Sequence, residues 1–230
     1  MKLIVYSIII ILYFIVHTLY EVFLRSEEPQ IYILIGAPGA GKSTWAKHLQ
    51  EKKYKHIYPS DLLRERLKKG DTRYLVYKEE IESGSPGIPG DVVTRLVKEV
   101  LDEVLTKDPS SKIVLDGYPR SVEQAHFLES YLSTYALEKK KKALYLDVDR
   151  AVCFQRIFFR RECKSCHDIY NLKFRPPQIN NMCDKCKLSL YQRSGDNVEK
   201  INARLDRFYN WGPAVLDFYR KKGELIPKVQ

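Results

Sequence analysis

The sequence predicts an α/β fold: a parallel sheet of about five strands with helices on both faces. Three observations carry the prediction. Short runs of continuous apolar, β-branched residues alternate with longer amphipathic stretches along most of the chain. A glycine-rich stretch, "GAPGAGKST" at 36–44, follows the first apolar run and opens the first amphipathic one. Late in the alternation it is interrupted by "CKSCHDIYNLKFRPPQINNMCDKC" at 163–186, two C-x-x-C pairs with sixteen residues between them.

"IYILI" at 31–35 reads as a strand buried on both faces. The glycine loop follows, then a helix from about Lys42 to Lys52. "HIY" at 56–58 is a short second strand, and Ser60 or Asp61 is placed to cap the helix "LLRERLKK". Helices are predicted over 72–83 and 91–106, parted by the turn-rich "SGSPGIPG". "KIVLD" at 112–116 is a third buried strand, "SVEQAHFLESYL" a helix and "KALYLDV" at 142–148 a fourth strand. "DRAVCFQRIFFRR" is the helix that leads into the cysteine segment. After it, "NVEKINARLDRFYNWGPAVLDFYRKK" is a long helix with a bend expected at Gly212-Pro213. "ELIPKV" is a fifth, terminal strand.

Composition narrows the function. The chain has 230 residues, enough for one α/β domain with a small insertion. There are 39 Lys and Arg against 29 Asp and Glu, a net charge of +10, which suits a polyanionic partner. Nucleotide phosphates, nucleic acid and an anionic membrane all qualify. A nucleic-acid-binding zinc ribbon would need aromatic–basic interleaving, which is lacking outside the cysteine segment. Four of the five cysteines stand in the two pairs, and this spacing suits a four-thiolate zinc site; disulfides are the alternative. Cys153 stands alone in an apolar helix and reads as a buried small residue. The N-terminus is a different object. Residues 3–16, "LIVYSIIIILYFIV", are nearly unbroken apolar, and the stretch continues to Leu24, long enough to span a bilayer. His17 and Glu21 weaken its second half. No small-residue cleavage site follows, so the reading is a membrane anchor or a stray apolar helix from an upstream start, with the globular domain in the cytosol.

Two motifs carry chemistry. Gly36-x4-Gly41-Lys42-Ser43 fits the phosphate-binding P-loop in its strand–loop–helix context. Its glycines let backbone N–H groups approach phosphates at a helix N-terminus. Lys42 adds a mobile charge, and Ser43 or Thr44 a hydroxyl for magnesium. In "VLDGYPRS" at 114–121, Asp116 ends a strand where ligands of open sheets bind and can hold magnesium. Arg120 then points a fork at a phosphate.

The P-loop, "SDLLRERL", "DGYPRSVEQA", "RIFFRR" and the four-cysteine segment occur in order. The chain over about 30–229 resembles adenylate kinase in its long-lid, zinc-binding form. The resemblance implies a P-loop NTPase-type fold with a helical nucleoside-monophosphate-binding insertion at 59–88 and a zinc-binding lid at 161–196. It implies a monomer acting on ATP, AMP and ADP with magnesium, and no nucleic-acid partner. Zinc, held by Cys163, Cys166, Cys183 and Cys186, replaces a core that so short a lid could not build. By the same resemblance Gly39, Ala40, Gly41, Lys42, Ser43 and Thr44 hold ATP phosphates. Arg156 and Arg160, four apart on one helix face, meet ATP, as do Ile169 and Tyr170 in the lid. Pro59, Arg64, Ile88, Gly117, Tyr118, Pro119 and Arg120 form the AMP site, with Gln124 reading the adenine edge. Arg193 and Arg204 bridge the two nucleotides. Lys42, Asp116, Arg120, Arg160, Arg193 and Arg204 are then the catalytic set. Pro59 stands where Thr or Ser is usual, Ser43 where Gly is usual, and Gly195 where Asp is common. The family pattern also continues past the last strand with a loop near the ATP base and a final helix.

Overall fold

The computed structural model describes residues 29–83 and 88–226. The apolar leader and the last four residues lie outside the described residues. Among the described residues no helix is long and apolar enough to cross a membrane.

The main sheet has five strands: β1 (Ile31–Gly36), β2 (Lys55–Ile57), β3 (Ile113–Asp116), β4 (Lys141–Leu146) and β8 (Leu225–Ile226). Their spatial order is β2-β3-β1-β4-β8, and every pairing is parallel. The apolar runs that predicted strands are the centre of the core. Ile31, Ile33, Val114, Leu115 and Ala143 are fully buried because helices cover both faces. Register decides the site: Leu34 pairs with Asp116 and Gly36 with Leu146, so the carboxyl ends of three strands open on one edge.

The helices are α1 (Lys42–Glu51), α2 (Pro59–Lys68), α3 (Lys78–Ser83), α4 (Gly90–Lys107), α5 (Val122–Ser133), α6 (Arg150–Phe158) and α7 (Val198–Lys221). Three starts are set by short polar caps: Ser121, Asp149 and Asn197 accept backbone N–H groups of α5, α6 and α7. Helix α2 corrects its prediction. It is not capped by Ser60 or Asp61 but begins at Pro59, with Tyr58 at the N-cap and no side-chain cap. Proline has no N–H to leave orphaned there, and its fixed φ suits the first helical position. The helix expected over 72–83 is instead a 3₁₀ segment, Thr72–Tyr77, followed by α3. Helix α7 runs unbroken through Pro213, and Gly212 lies against the Phe208 ring, where a Cβ would come to 2.9 Å.

Lys141 opens β4 wholly buried, its ammonium 3.0 Å from Glu129 and 2.9 Å from Glu224. This ties α5 to the turn that enters β8, the edge strand.

A second sheet of three antiparallel strands lies beyond α6: β5 (Arg160–Cys163), β6 (Ile169–Asn171) and β7 (Leu190–Tyr191), in the order β6-β5-β7. This overturns one expectation. Arg160 is not on a helix face with Arg156. Helix α6 ends at Phe158, and Arg160 is already the first residue of β5, bonded to the edge of β6. The periodicity of "RIFFRR" suits a helix, but pairing with β6, Arg160 against Asn171, captures the end of it.

Candidate active site

The phosphate loop is built by backbone constraint. Gly39 has φ +85, and a Cβ there would sit 2.5 Å from the Cys153 carbonyl oxygen, so only glycine lets the loop rest on α6. Gly41 has φ +99 and forms the N-cap of α1. Lys42 folds back over the loop and donates to the carbonyls of Gly36 at 2.8 Å and Ala37 at 3.1 Å. Burial pushes its ammonium down to about 8; Asp116 opposes the fall, while Arg120 and Arg204 add to it. Three of the predicted residues are therefore close enough to set the charge of a fourth.

Asp116 is 1% exposed at the end of β3. Its Oδ2 lies 3.5 Å from the Ser43 hydroxyl and 3.4 Å from His56 Nε2. Its Oδ1 is buried with no hydrogen-bond partner. A buried carboxylate oxygen without a donor, beside a hydroxyl, fits the donor set of a hard cation such as magnesium. Arg120 is held by its Nε on the Gly117 carbonyl at 2.8 Å, and its N–H donates to Gln124 Oε1 at 2.7 Å. The Gln124 amide nitrogen donates to Gly90 at 3.0 Å, joining α5 to the start of α4.

The arginines divide. Arg160 donates to both oxygens of Asp196, at 2.8 and 2.7 Å, and Arg204 reaches Asp196 Oδ1 at 3.3 Å. Burial lowers the Arg204 pKa, Arg160 lowers it further, and Asp196 offsets part of this. Arg156 lies by the loop, 3.5 Å from the Gly39 carbonyl. Arg193 donates through Nε to Glu162 of β5. Arg64 is exposed on the insertion and paired with Asp61 at 2.7 Å. Ile88 packs on the insertion's apolar cluster, and Pro59 is buried at the start of α2. Two side chains point away from any open face: Tyr118 is 1% exposed with its hydroxyl on Thr94, and Tyr170 is 2% exposed within the lid.

Sequence reasoning missed the acids. Asp196 and Glu162 are both under 10% exposed and each holds a predicted arginine. It also missed His56 and Arg207. Arg207 lies three residues past Arg204 on α7, and burial followed by Arg120 and Arg204 lowers its pKa. The spacing of Arg204 and Arg207 was the available signal.

The four predicted cysteines converge, with all four sulfurs within 4.8 Å of one another and none in a disulfide. A tetrahedral four-thiolate zinc site asks for sulfurs roughly 3.8 Å apart, from a Zn–S bond of about 2.3 Å. Cys166 and Cys183 are 3.6 Å apart. The two pairs make matching turns: His167 and Lys187, each just after a second cysteine, have φ near +56 and +57 and donate to the carbonyls of Cys163 and Cys183. The Cys186 N–H holds the Cys183 thiol down to about 6, with burial opposing and the Tyr170 hydroxyl assisting. The cluster fits structural zinc. Cys153 is fully buried beneath the phosphate loop.

Loop, sheet order and basic cluster together place the protein among the P-loop nucleotide-binding proteins. Comparison with known proteins narrows the class. The adenylate kinase family profile matches residues 34–224. An adenylate kinase of Thermotoga neapolitana is 39% identical over 195 residues, 84% of this chain and 86% of its own. One from Geobacillus sp. is 37% identical, over 84% and 88%, and one from Methanocella arvoryzae 36%, over 85% and 88%. The chain belongs to the adenylate kinase family.

Proposed function

We propose that the protein transfers the terminal phosphoryl group of ATP to AMP, giving two ADP. The observation that carries this reading is the cationic cluster by the loop: Arg120 and Arg204 lie near enough to Lys42 to lower its pKa, and Arg204 shares Asp196 with Arg160. Phosphoryl transfer asks little covalent work of a protein; it needs two polyanions set in line and their developing charge spread out. Magnesium supplies charge neutralisation on the phosphate oxygens, and Ser43 with Asp116 would hold it. Residues 39–44, Arg156 and Arg160 take the ATP phosphates. Arg64, residues 117–120 and Gln124 take AMP, and Arg193 and Arg204 lie between. Residues 59–88 form the monophosphate insertion and 161–196 the lid, its cysteines holding one structural zinc that leaves no position open to substrate.

A coupled assay of the purified protein with AMP, CMP, UMP and GMP tests the substrate. Fastest turnover is expected with AMP; equal or faster turnover with CMP or UMP overturns the assignment. The apolar run at 3–24 supports a membrane anchor as a separate reading. Full-length protein found wholly in the soluble fraction of its native cell would rule that out.

A further inference from the structure

Glu162 is an acid in an expensive place. It lies within strand β5, beside Cys163, and is 7% exposed. Its partner across β7 is Tyr191. Arg193 lies two residues past Tyr191, just beyond the end of β7, and comes back over the carboxylate. Arg193 Nε donates to Glu162 Oε2 at 2.5 Å, while His167 Nδ1 faces the other oxygen at 3.3 Å. The manner of the grip matters. Arg160 spends both Nε and Nη2 on Asp196. Arg193 is held by Nε alone, and among the described residues neither of its Nη atoms has a hydrogen-bond partner. A guanidinium fixed at Nε still presents two parallel Nη donors, the edge that matches a pair of phosphate oxygens.

The geometry points to Glu162 as a positioning residue for Arg193: a buried lid carboxylate that fixes the guanidinium by its inner nitrogen and turns the outer two toward the nucleotides. This rests on the reading of Arg193 as a phosphate ligand. The rival role for Glu162 is cohesion of the lid alone, through His167 and the neighbouring knuckle.

Steady-state kinetics with a double-mutant cycle separates the two. Glu162→Gln keeps the shape and one acceptor but removes the charge; Glu162→Leu removes both. The expected fall in kcat is about three-fold for Gln and about ten-fold for Leu, with KM for ATP and AMP changing far less. In an Arg193→Ala background neither substitution should lower kcat further. His167→Asn removes the carboxylate's other contact, suits the left-handed backbone there, and should leave kcat unchanged. Bound metal and the thermal midpoint are measured for each variant, to show that the lid is folded. Equal losses in the native and Arg193→Ala backgrounds overturn the proposal, as does native kcat in Glu162→Leu or an equal loss in His167→Asn. If Arg193→Ala itself keeps native kcat, the phosphate-ligand reading falls and the proposal with it. That result is distinct from additive losses, which would leave Arg193 in place and remove Glu162.

Discussion

The two flaps proposed above, the insertion and the lid, are built on different principles. The insertion is helical and has an apolar centre: Leu63, Tyr74, Ile81 and Leu96 are buried, with Leu62, Leu67, Tyr77, Ile88 and Val92 around them. Ion pairs such as Arg73–Glu99 and Arg66–Glu103 decorate its surface. The lid's buried cluster is Cys163, Tyr170, Cys183 and Leu190, joined by Cys186: mostly sulfur, with one ring and one aliphatic chain. It exposes Phe174, Ile179 and Leu188 instead of burying them. The insertion has four helical or 3₁₀ neighbours to bury against, counting α4; the lid has three short strands. A segment without enough apolar area gathers four thiols that suit a metal, and a segment with enough does not need them.

The largest effect should come from the residue that belongs to neither flap. Lys42→Met is expected to lower kcat/KM by about a thousand-fold, since a preorganised donor at developing charge is worth roughly 10²–10³ and more in a desolvated site. Both flaps should stay intact in circular dichroism, because the change removes a desolvated charge, not a core group. Retention of a tenth of native activity would take Lys42 out of the mechanism. Next, Cys183→Ser or removal of metal by a chelator should open the lid to protease within 161–196 while the main sheet keeps its hydrogen-exchange protection. Turnover should fall by at least about ten-fold as the lid ceases to exclude water. Loss of protection throughout the sheet would refute the idea that zinc serves the lid alone.

On the other flap, Leu63→Ala should cost about 2–5 kcal/mol by leaving a cavity in the apolar cluster. Its kinetic signature should be a raised KM for AMP with little change for ATP; the reverse would exchange the roles assigned to the flaps. The smallest expected effect is on pH. The free-enzyme Lys42 ammonium sits at about 8, below the usual lysine value. Its charged form meets phosphate, so kcat/KM for ATP should be halved near pH 8 and fall further above it. A flat profile to pH 9.5 would show that Lys42 keeps its proton in the free enzyme.

Much of this was legible in the residues. Continuous apolar runs named β1, β3 and β4, because strands covered on both faces leave no room for polar alternation. The cysteine spacing named the four-sulfur cluster, because such a site is written in local turns: the repeat of a left-handed residue after Cys166 and Cys186 follows from C-x-x-C itself. What stayed hidden depends on residues far apart in sequence. The Arg160–Asp196 pair spans 36 positions and Arg193–Glu162 spans 31. Nothing local marks either acid as buried, since an isolated Asp or Glu in a sequence reads as surface. Arg160 itself misled for a related reason: helical period continues into β5, and only pairing with β6 ends the helix. Pro59, set where Thr or Ser is usual, also serves as the first residue of α2.

Asp196 has a consequence for how the protein responds to salt. Arg160 and Arg204 share an anion of the protein's own, Asp196. Under the proposed role of these arginines, an arriving phosphate would exchange with a carboxylate instead of shedding a cloud of dissolved ions. Affinity for nucleotide should then decline with ionic strength less steeply than the number of arginines suggests, because only cations that stood bare beforehand had mobile ions to release. Replacing Asp196 with Asn would restore those mobile ions and steepen the dependence.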